Sequence, residues 1–439
     1  MTDSNSSSQN SLFRSSNNLS KTHLLAEETV FVRSKVKFLN KTLIKLENPR
    51  SVLIIAKNFD NAIVDFTKRL TIFFIETSWK HCQESSINLK VYIDSKLDYL
   101  NSPFQELKES EKFKDSLFFW DREFCLNNAE EIDMIITLGG DGTVLYASWL
   151  FQNAQVPPVI AFHLGSLGFL TNFTVNEIKS VLNKVVGCEG DGVHINMRMR
   201  LQCTVWRANK NLKTDVAILQ TSSHENIEIS KKKIDYLATE DIFSGLRIHQ
   251  LKKPHPVETF HILNDLVIDR GPSAYMSQLE LYVDEKHLTT VQADGLVIST
   301  PTGATAYSLS AGGPLAHPLV PSILVTPICP HTLSFRPMLL PDSVELRIEV
   351  PSDSRNSAFV SFDGRHRTEL LKGDSVRILL SPYPLPTVCK KDQGEDWISS
   401  LSRCLHWNER ARQKPFSNGE TILEGFPHCD DDNYNNSKK

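Results

Sequence analysis

Long apolar runs are missing from this chain of 439 residues. No stretch approaches the roughly 20 consecutive apolar residues that an α-helix needs to span a bilayer. No amphipathic or lipidation signal marks a surface that would sit on a membrane either. Paired cysteines are also missing. The eight cysteines, from Cys82 to Cys429, are scattered without a C-x-x-C pair, which argues against a zinc site or a Cys/His metal cage. In a chain of this length without a secretory signal, they are expected to be reduced thiols. A strong charge of either sign is lacking too. The formal net charge is −4, so there is no global basic footprint for nucleic acid. Basic residues are scarce at the start: Arg14 and Lys21 are the only ones through residue 21. That is too few for an Arg-rich presequence, and a cytoplasmic protein is expected.

What remains is a hydrophobic fraction of 40%, enough for two cores. The Ser/Asn-rich segment 1–21 cannot bury enough surface to fold and is expected to be disordered. Residues 22–49 can form a leading helix. From there to 190 strands and helices alternate: strand 51–57, helix 61–77, strand 89–94, strand 134–138, a helix from about Thr143, and strand 158–163. The stretch 96–130 is polar and poorly periodic and reads as loop or insertion. Alternation of this kind predicts an α/β domain with a parallel sheet over 22–190. Beyond it, strand-like runs dominate and predict a β-rich domain over 191–385. This domain carries a charged insertion at 208–256, whose Lys231-Lys232-Lys233 reads as a solvated face. A C-terminal extension, 386–439, follows, with an amphipathic helix at 396–412 and an acidic, Asn-rich disordered end.

The most informative stretch is Ile135 to Thr143, where an apolar strand runs into Gly139, Gly140, Asp141, Gly142 and Thr143. Glycines without Cβ atoms allow a phosphate chain close to the main-chain N–H groups. The helix that follows turns its positive end toward the same anion. No Lys-Ser/Thr follows the glycines, so this is not a P-loop, nor is it the G-x-G-x-x-G pattern. Asp141 then reads as a base or metal organiser beside a phosphate. The alternative is a tight turn with Asp as helix cap. Ligands bind beyond the carboxyl ends of parallel strands, which is where Asp141 falls.

A second constellation runs from Asp294 to Pro314. A buried strand ends at Thr300, and a Pro-Thr-Gly turn leads into a short helix. The hydroxyls of Ser299, Thr300, Thr302, Thr305 and Ser308 suit an anionic, sugar-bearing ligand, or simply a hydroxyl-rich turn. Tyr307 offers a flat face and a phenol. A third feature is Leu263-Asn264-Asp265, an amide and a carboxylate interrupting the apolar run 259–269. Buried polar groups need partners; a dinucleotide or neighbouring backbone would serve.

Taken together, these residues resemble the NAD kinase family. The resemblance rests on Gly139–Thr143, Leu263–Asp265, Asp294–Pro314, Pro327–Pro337 and Ser361–Gly364, in that order, and covers about 50–415. The long tails and the Trp397 to Trp407 segment are similar to the fungal branch. The first motif is shared with diacylglycerol, sphingosine and phosphofructokinase-type kinases; the second constellation and Pro327–Pro337 are far more specific. Ala304 departs from the pattern, since the family usually has a hydroxyl there. The resemblance implies an active site in the crevice between the two domains, and transfer of the ATP γ-phosphate to the 2′-hydroxyl of the adenosine ribose of NAD, or NADH. By position it makes Asp141 the catalytic carboxylate. Gly139, Gly140, Gly142 and Thr143 become the phosphate cradle. Asn264, Asp265, Asp294, Thr302, Thr305, Ala306 and Tyr307 become the NAD site. It implies Mg²⁺ arriving with ATP, without a dedicated protein metal site, and a homo-oligomer. A lipid kinase built on the same glycine loop and a non-catalytic dinucleotide sensor are the competing readings.

Overall fold

The computed structural model describes residues 42–46, 49–57, 61–76, 89–98, 102–165, 167–186, 190–208 and 254–408, isolated positions 28, 30, 31 and 35, and the backbone of 216–220 and 226–230. The expected disordered segments 1–21 and 430–439, most of the leading helix at 22–49 and the lysine run at 231–233 lie outside the described residues.

The strand Ser51–Ala56 is buried over its first five residues, and its alternation sorts side chains onto two faces. Val52 and Ile54 point into one core with Val64, Leu70 and Phe74 of the helix Asn61–Glu76 and Val181, Leu182 and Val185 of the helix Ile178–Val185. Leu53 and Ile55 point into another with Val144, Ala147 and Leu150 of the helix Asp141–Leu150. A sheet covered on both faces reads as a continuous apolar run, as this strand does. Across the sheet the strands lie in the order Leu43–Ile44, Val193–Arg198, Leu385–Val388, Val159–His163, Met134–Leu138, Ser51–Ala56, Lys90–Asp94 and Leu117–Trp120. The last five are mutually parallel. The chain winds outward from Ser51–Ala56 toward Leu117–Trp120, then returns to place Met134–Leu138 on the other side. That reversal opens a crevice at the carboxyl ends of these two strands.

Two six-stranded sheets, antiparallel throughout, make the second body. One runs His255–Ile262, Leu201–Arg207, Ser375–Leu380, Leu346–Glu349, Ser277–Val283, Lys286–Ala293; the other runs Met338–Pro341, Ser322–Ile328, Gly295–Ser299, Asp265–Asp269, Ala358–Phe362, Arg365–Leu370. Residues from both sheets share one core, including Leu201, Ile262, Leu266, Leu281, Ile298 and Phe362. Each fully buried aliphatic or Phe side chain there contributes about 1.5–3 kcal/mol.

The helix Asp141–Leu150 ties the two bodies together. Its Trp149 reaches into the sandwich core and stacks on Phe260 and on His366, with ring centroids 5.6 and 4.7 Å apart. Buried Arg200 donates to the carbonyls of Ser148 and Phe151 at 3.0 and 2.9 Å. A cation at these last carbonyls also complements the helix dipole. One end of the helix is therefore anchored in the sandwich, and the other carries Asp141.

Several expectations need correction. Residues 96–130 are not loop: they hold the edge strand Leu117–Trp120 and the short helices Gln105–Glu109 and Arg122–Asn127. These elements are too short to show a period. The run 259–269 is not one strand: it bends at Leu263–Asn264, and its halves belong to different sheets of the sandwich. The strand Val193–Arg198, expected in the β-rich body, joins the first sheet, and the Pro-rich exit holds an unexpected strand, Leu385–Val388, that pairs there with both Val193–Arg198 and Val159–His163. Within 208–256, the backbone of Val216–Gln220 pairs with Asn226–Ser230 as an antiparallel hairpin. The final helix spans Gln393–Leu405 rather than 396–412. Among the described residues, no helix is long and apolar enough to cross a membrane.

Candidate active site

Asp141 is the first residue of its helix, following Gly140 in extended conformation. Its carboxylate is held by one loop. The Phe169 N–H donates to Oδ2 at 2.9 Å, and the Leu170 N–H and Thr171 hydroxyl donate to Oδ1 at 3.0 and 3.3 Å. The loop comes this close because residue 168 is glycine; a β-carbon there would overlap the carboxylate. Of the expected phosphate cradle, Gly140 and Gly142 face open space. Gly139 and Thr143 do not. Gly139 is packed against Thr143 and Lys57, and the Thr143 hydroxyl is buried without a partner.

The second centre is the bend at Leu263–Asn264. Asp363, in left-handed conformation at φ 48°, turns its carboxylate onto the bend. Oδ2 accepts from the Leu263 N–H at 2.8 Å, and Oδ1 accepts from Asn264 and Asp265 at 2.7 and 3.1 Å. From the other side, the Thr300 hydroxyl donates to the Leu263 carbonyl at 2.5 Å, and the Thr300 N–H donates to the Asn264 carbonyl at 2.9 Å. This cross-linking leaves the Asn264 Oδ1 atom buried without a partner. Asp265 is buried, and a main-chain N–H from Tyr307 reaches its carboxyl. Burial and the neighbouring Asp363 push the Asp265 carboxyl up to about 7. Burial also raises Asp363, but three N–H groups and Arg200 pull it back.

The hydroxyl-rich turn is largely spent on structure. Besides Thr300, Ser299 donates to the Asn264 and Thr300 carbonyls, and Ser308 bonds the Thr326 hydroxyl at 3.0 Å. These three are removed from the set expected to face a ligand. Thr302 and Thr305 remain, lining a cleft with Phe169, Leu170 and Arg198. Ala304 is fully buried against Ala316 and Leu324, so the departure at 304 falls where no side chain reaches the cleft. Ala306 is partly exposed at the turn before the helix Tyr307–Ser310. The Tyr307 side chain stands out, with the residue 44% exposed. Asp294 is not brought to this cleft. It sits at the opposite end of the strand Gly295–Ser299, ion-paired to Arg270 at 2.9 Å. Strand geometry puts it roughly 20 Å from the turn.

Arg198 was not singled out by the sequence, yet it ties the first sheet to the hydroxyl-rich turn. Nearly fully buried, it donates to Thr387 at 3.0 Å and to Thr302 at 3.4 Å. Burial lowers its pKa, against the pull of Cys389, Asp141 and Asp396. Asp363 lies in a motif that carries the resemblance but was given no site role, and the 168–171 loop was given none either. Signals existed for both: a glycine inside Leu167-Gly168-Phe169-Leu170, and an Asp-Gly pair closing the strand Ala358–Phe362. No group of three or more His, Cys, Asp or Glu able to hold a metal occurs among the described residues. A carboxylate beside an open helix N-terminus fits a cation that brings phosphate oxygens as its other ligands.

A family model for the ATP-NAD kinase N-terminal domain matches residues 52–189, and one for the ATP-NAD kinase C-terminal domain matches residues 263–389. The NAD(+) kinase of Saccharomyces cerevisiae is 38% identical over 407 residues, 92% of this chain and 68% of that protein. The chloroplastic NAD kinase 2 of Arabidopsis thaliana is 44% identical over 287 residues, 65% of this chain; this chain spans only 25% of that protein's length. The crystal structure of yeast NADH kinase complexed with NADH superposes with a TM-score of 0.60 at 29% identity, covering 84% of this chain and 91% of that one.

Proposed function

This chain belongs to the ATP-NAD kinase family, and on that premise we propose that it transfers the γ-phosphate of ATP to the 2′-hydroxyl of the adenosine ribose of NAD or NADH. The observation that carries this reading is the Asp141 carboxylate. A carboxylate offers about four acceptor positions. Two are filled on Oδ1 and one on Oδ2, which leaves one position on Oδ2 for a substrate hydroxyl. A ribose hydroxyl is a poor nucleophile at neutral pH, and a fixed carboxylate accepts its proton as attack proceeds.

The remaining groups position the reactants, which is most of what phosphoryl transfer requires. Gly140 and Gly142 give phosphates access to the helix N-terminus. The unpartnered Asn264 Oδ1 accepts an N–H from the dinucleotide, beside Asp265. Thr302, Thr305 and Arg198 form the cleft wall, and Tyr307 presents its ring to a base. Mg²⁺ carried in with ATP would neutralise the phosphate charge through phosphate oxygens and water, since the one open Asp141 position is given to the hydroxyl. The family resemblance also carries a homo-oligomer into this reading. The described cysteines are all free, which supports a reducing, cytosolic compartment.

The test is direct. Purified protein with ATP, Mg²⁺ and either NAD or NADH should form NADP or NADPH. Absence of both products from folded protein would refute the proposal. The ratio of the two rates gives the preference between the acceptors.

A further inference from the structure

The helix Gln393–Leu405 lies beyond the segment matched by the family models, which ends at residue 389. It is nonetheless firmly built. Asp392 caps it by accepting the Glu395 N–H at 2.8 Å, and His406 ends it in left-handed conformation at φ 48°. Gln393 fastens it to the first sheet by donating to the Ile195 carbonyl at 3.0 Å. Trp397 adds an edge-on contact with His317 at 5.0 Å between ring centroids.

From that seat the helix grips one loop at both ends. Near its start, Asp396 Oδ2 accepts from Asn172 Nδ2 at 3.2 Å. Near its end, Cys404 Sγ donates to the Leu167 carbonyl at 3.5 Å. Between Leu167 and Asn172 lie the three donors that hold the Asp141 carboxylate. Asn172 is buried, and its amide orientation is fixed, because a carboxylate only accepts. Asp396 also accepts from the Lys390 and Lys391 N–H groups at 2.7 and 3.1 Å. The carboxylate is thereby locked where it meets Asn172.

We propose that the helix Gln393–Leu405 is a clamp that positions the catalytic carboxylate: Asp396, through Asn172, and Cys404, through Leu167, hold the loop whose N–H groups orient Asp141. The clamp rests on the reading of Asp141 as the group that touches the substrate; Asp396 and Asn172 are positioning residues. A misplaced catalytic group costs turnover more than binding. The clamp should therefore appear in kcat while the KM for ATP stays within about twofold.

Asn172→Ala removes the bridge and leaves the connections of Asp396 to 390 and 391 intact. Asp396→Asn keeps the shape and removes the charge. Each should lower kcat by about tenfold, and the double variant should fall no lower than the worse single, because both cut one link. In Asp141→Asn enzyme the same changes should cost nothing further. Hydrogen exchange supplies a readout independent of activity: the Phe169 and Leu170 amides should exchange about tenfold faster in Asn172→Ala, while the core amide of Ile136 stays unchanged. A helix that merely adds stability would lower the melting temperature and leave kcat and these two amides as in the unaltered protein. That result in folded Asn172→Ala or folded Asp396→Asn overturns the clamp. Should Asp141→Asn itself keep near-normal turnover, the catalytic reading fails, and the exchange rates still decide whether the helix holds the loop.

Discussion

Gly168 lies so close to Asp141 that a β-carbon at 168 would overlap the carboxylate. The main chain of one loop is thus pressed onto the side chain of another element. That contact is what allows the Phe169 and Leu170 N–H groups to reach Asp141 at 2.9 and 3.0 Å. Glycine is needed here for close approach, not for an unusual φ.

Gly168→Ala is expected to force the loop and the carboxylate apart. Overpacking of this kind costs about 1–3 kcal/mol, and the lost orientation should lower kcat by roughly 10²-fold. Measuring kcat and melting temperature on one preparation checks this. A folded Gly168→Ala enzyme with unaltered kcat would mean that the loop does not orient Asp141.

Asp265 gives a pH dependence with a definite sign. Its folded carboxyl is pushed up to about 7 by burial and by Asp363, whereas an unfolded Asp titrates near ~4. Between these values the folded chain holds a proton that the unfolded chain has lost. The contribution to stability is full below about pH 4 and is lost as pH rises through about 7. Asp265→Asn cannot ionise, so its melting temperature should gain on that of the unaltered protein as pH rises from about 4 to 7, with the gap levelling off above that. A gap that stays constant over that interval would show that Asp265 does not titrate there.

Tyr307 is 44% exposed, so little stability should rest on its ring. Its N–H, by contrast, engages Asp265 and survives any side-chain change. Tyr307→Ala should raise the KM for NAD, since stacking of a base on an aromatic ring is worth about 1–3 kcal/mol. Melting temperature should barely move. Tyr307→Phe separates the ring from the phenol: a mild effect assigns the contact to stacking. A large fall in melting temperature with unchanged KM would make Tyr307 a packing residue instead.

The legible parts of this chain were those where local sequence and fold agree. Met134–Leu138 into Asp141 is a buried strand followed by glycines, and both the strand and the helix stand where the pattern put them. Gly295–Ser299 and the turn after it were equally plain. What stayed hidden depends on distant partners. The bend at Leu263–Asn264 is stapled by Asp363, about a hundred positions away, and nothing near residue 263 announces it. Leu385–Val388 finds its place in the first sheet by pairing with Val193–Arg198 and Val159–His163. The hydroxyls of Ser299, Thr300 and Ser308 looked available because sequence shows a donor without showing its acceptor. Asp294 looked close to Thr302 because eight positions are few, but a strand carries them to opposite ends.

The central claim is that Asp141 touches the reacting hydroxyl, and single-turnover phosphoryl transfer by Asp141→Asn tests it most directly. The amide is nearly isosteric and keeps the helix N-terminus intact. With enzyme in excess over NAD and with saturating ATP and Mg²⁺, the rate of NADP formation should fall by roughly 10²-fold or more. NAD binding, measured separately, should change little. A folded Asp141→Asn enzyme that forms NADP at close to the unaltered rate would contradict the account.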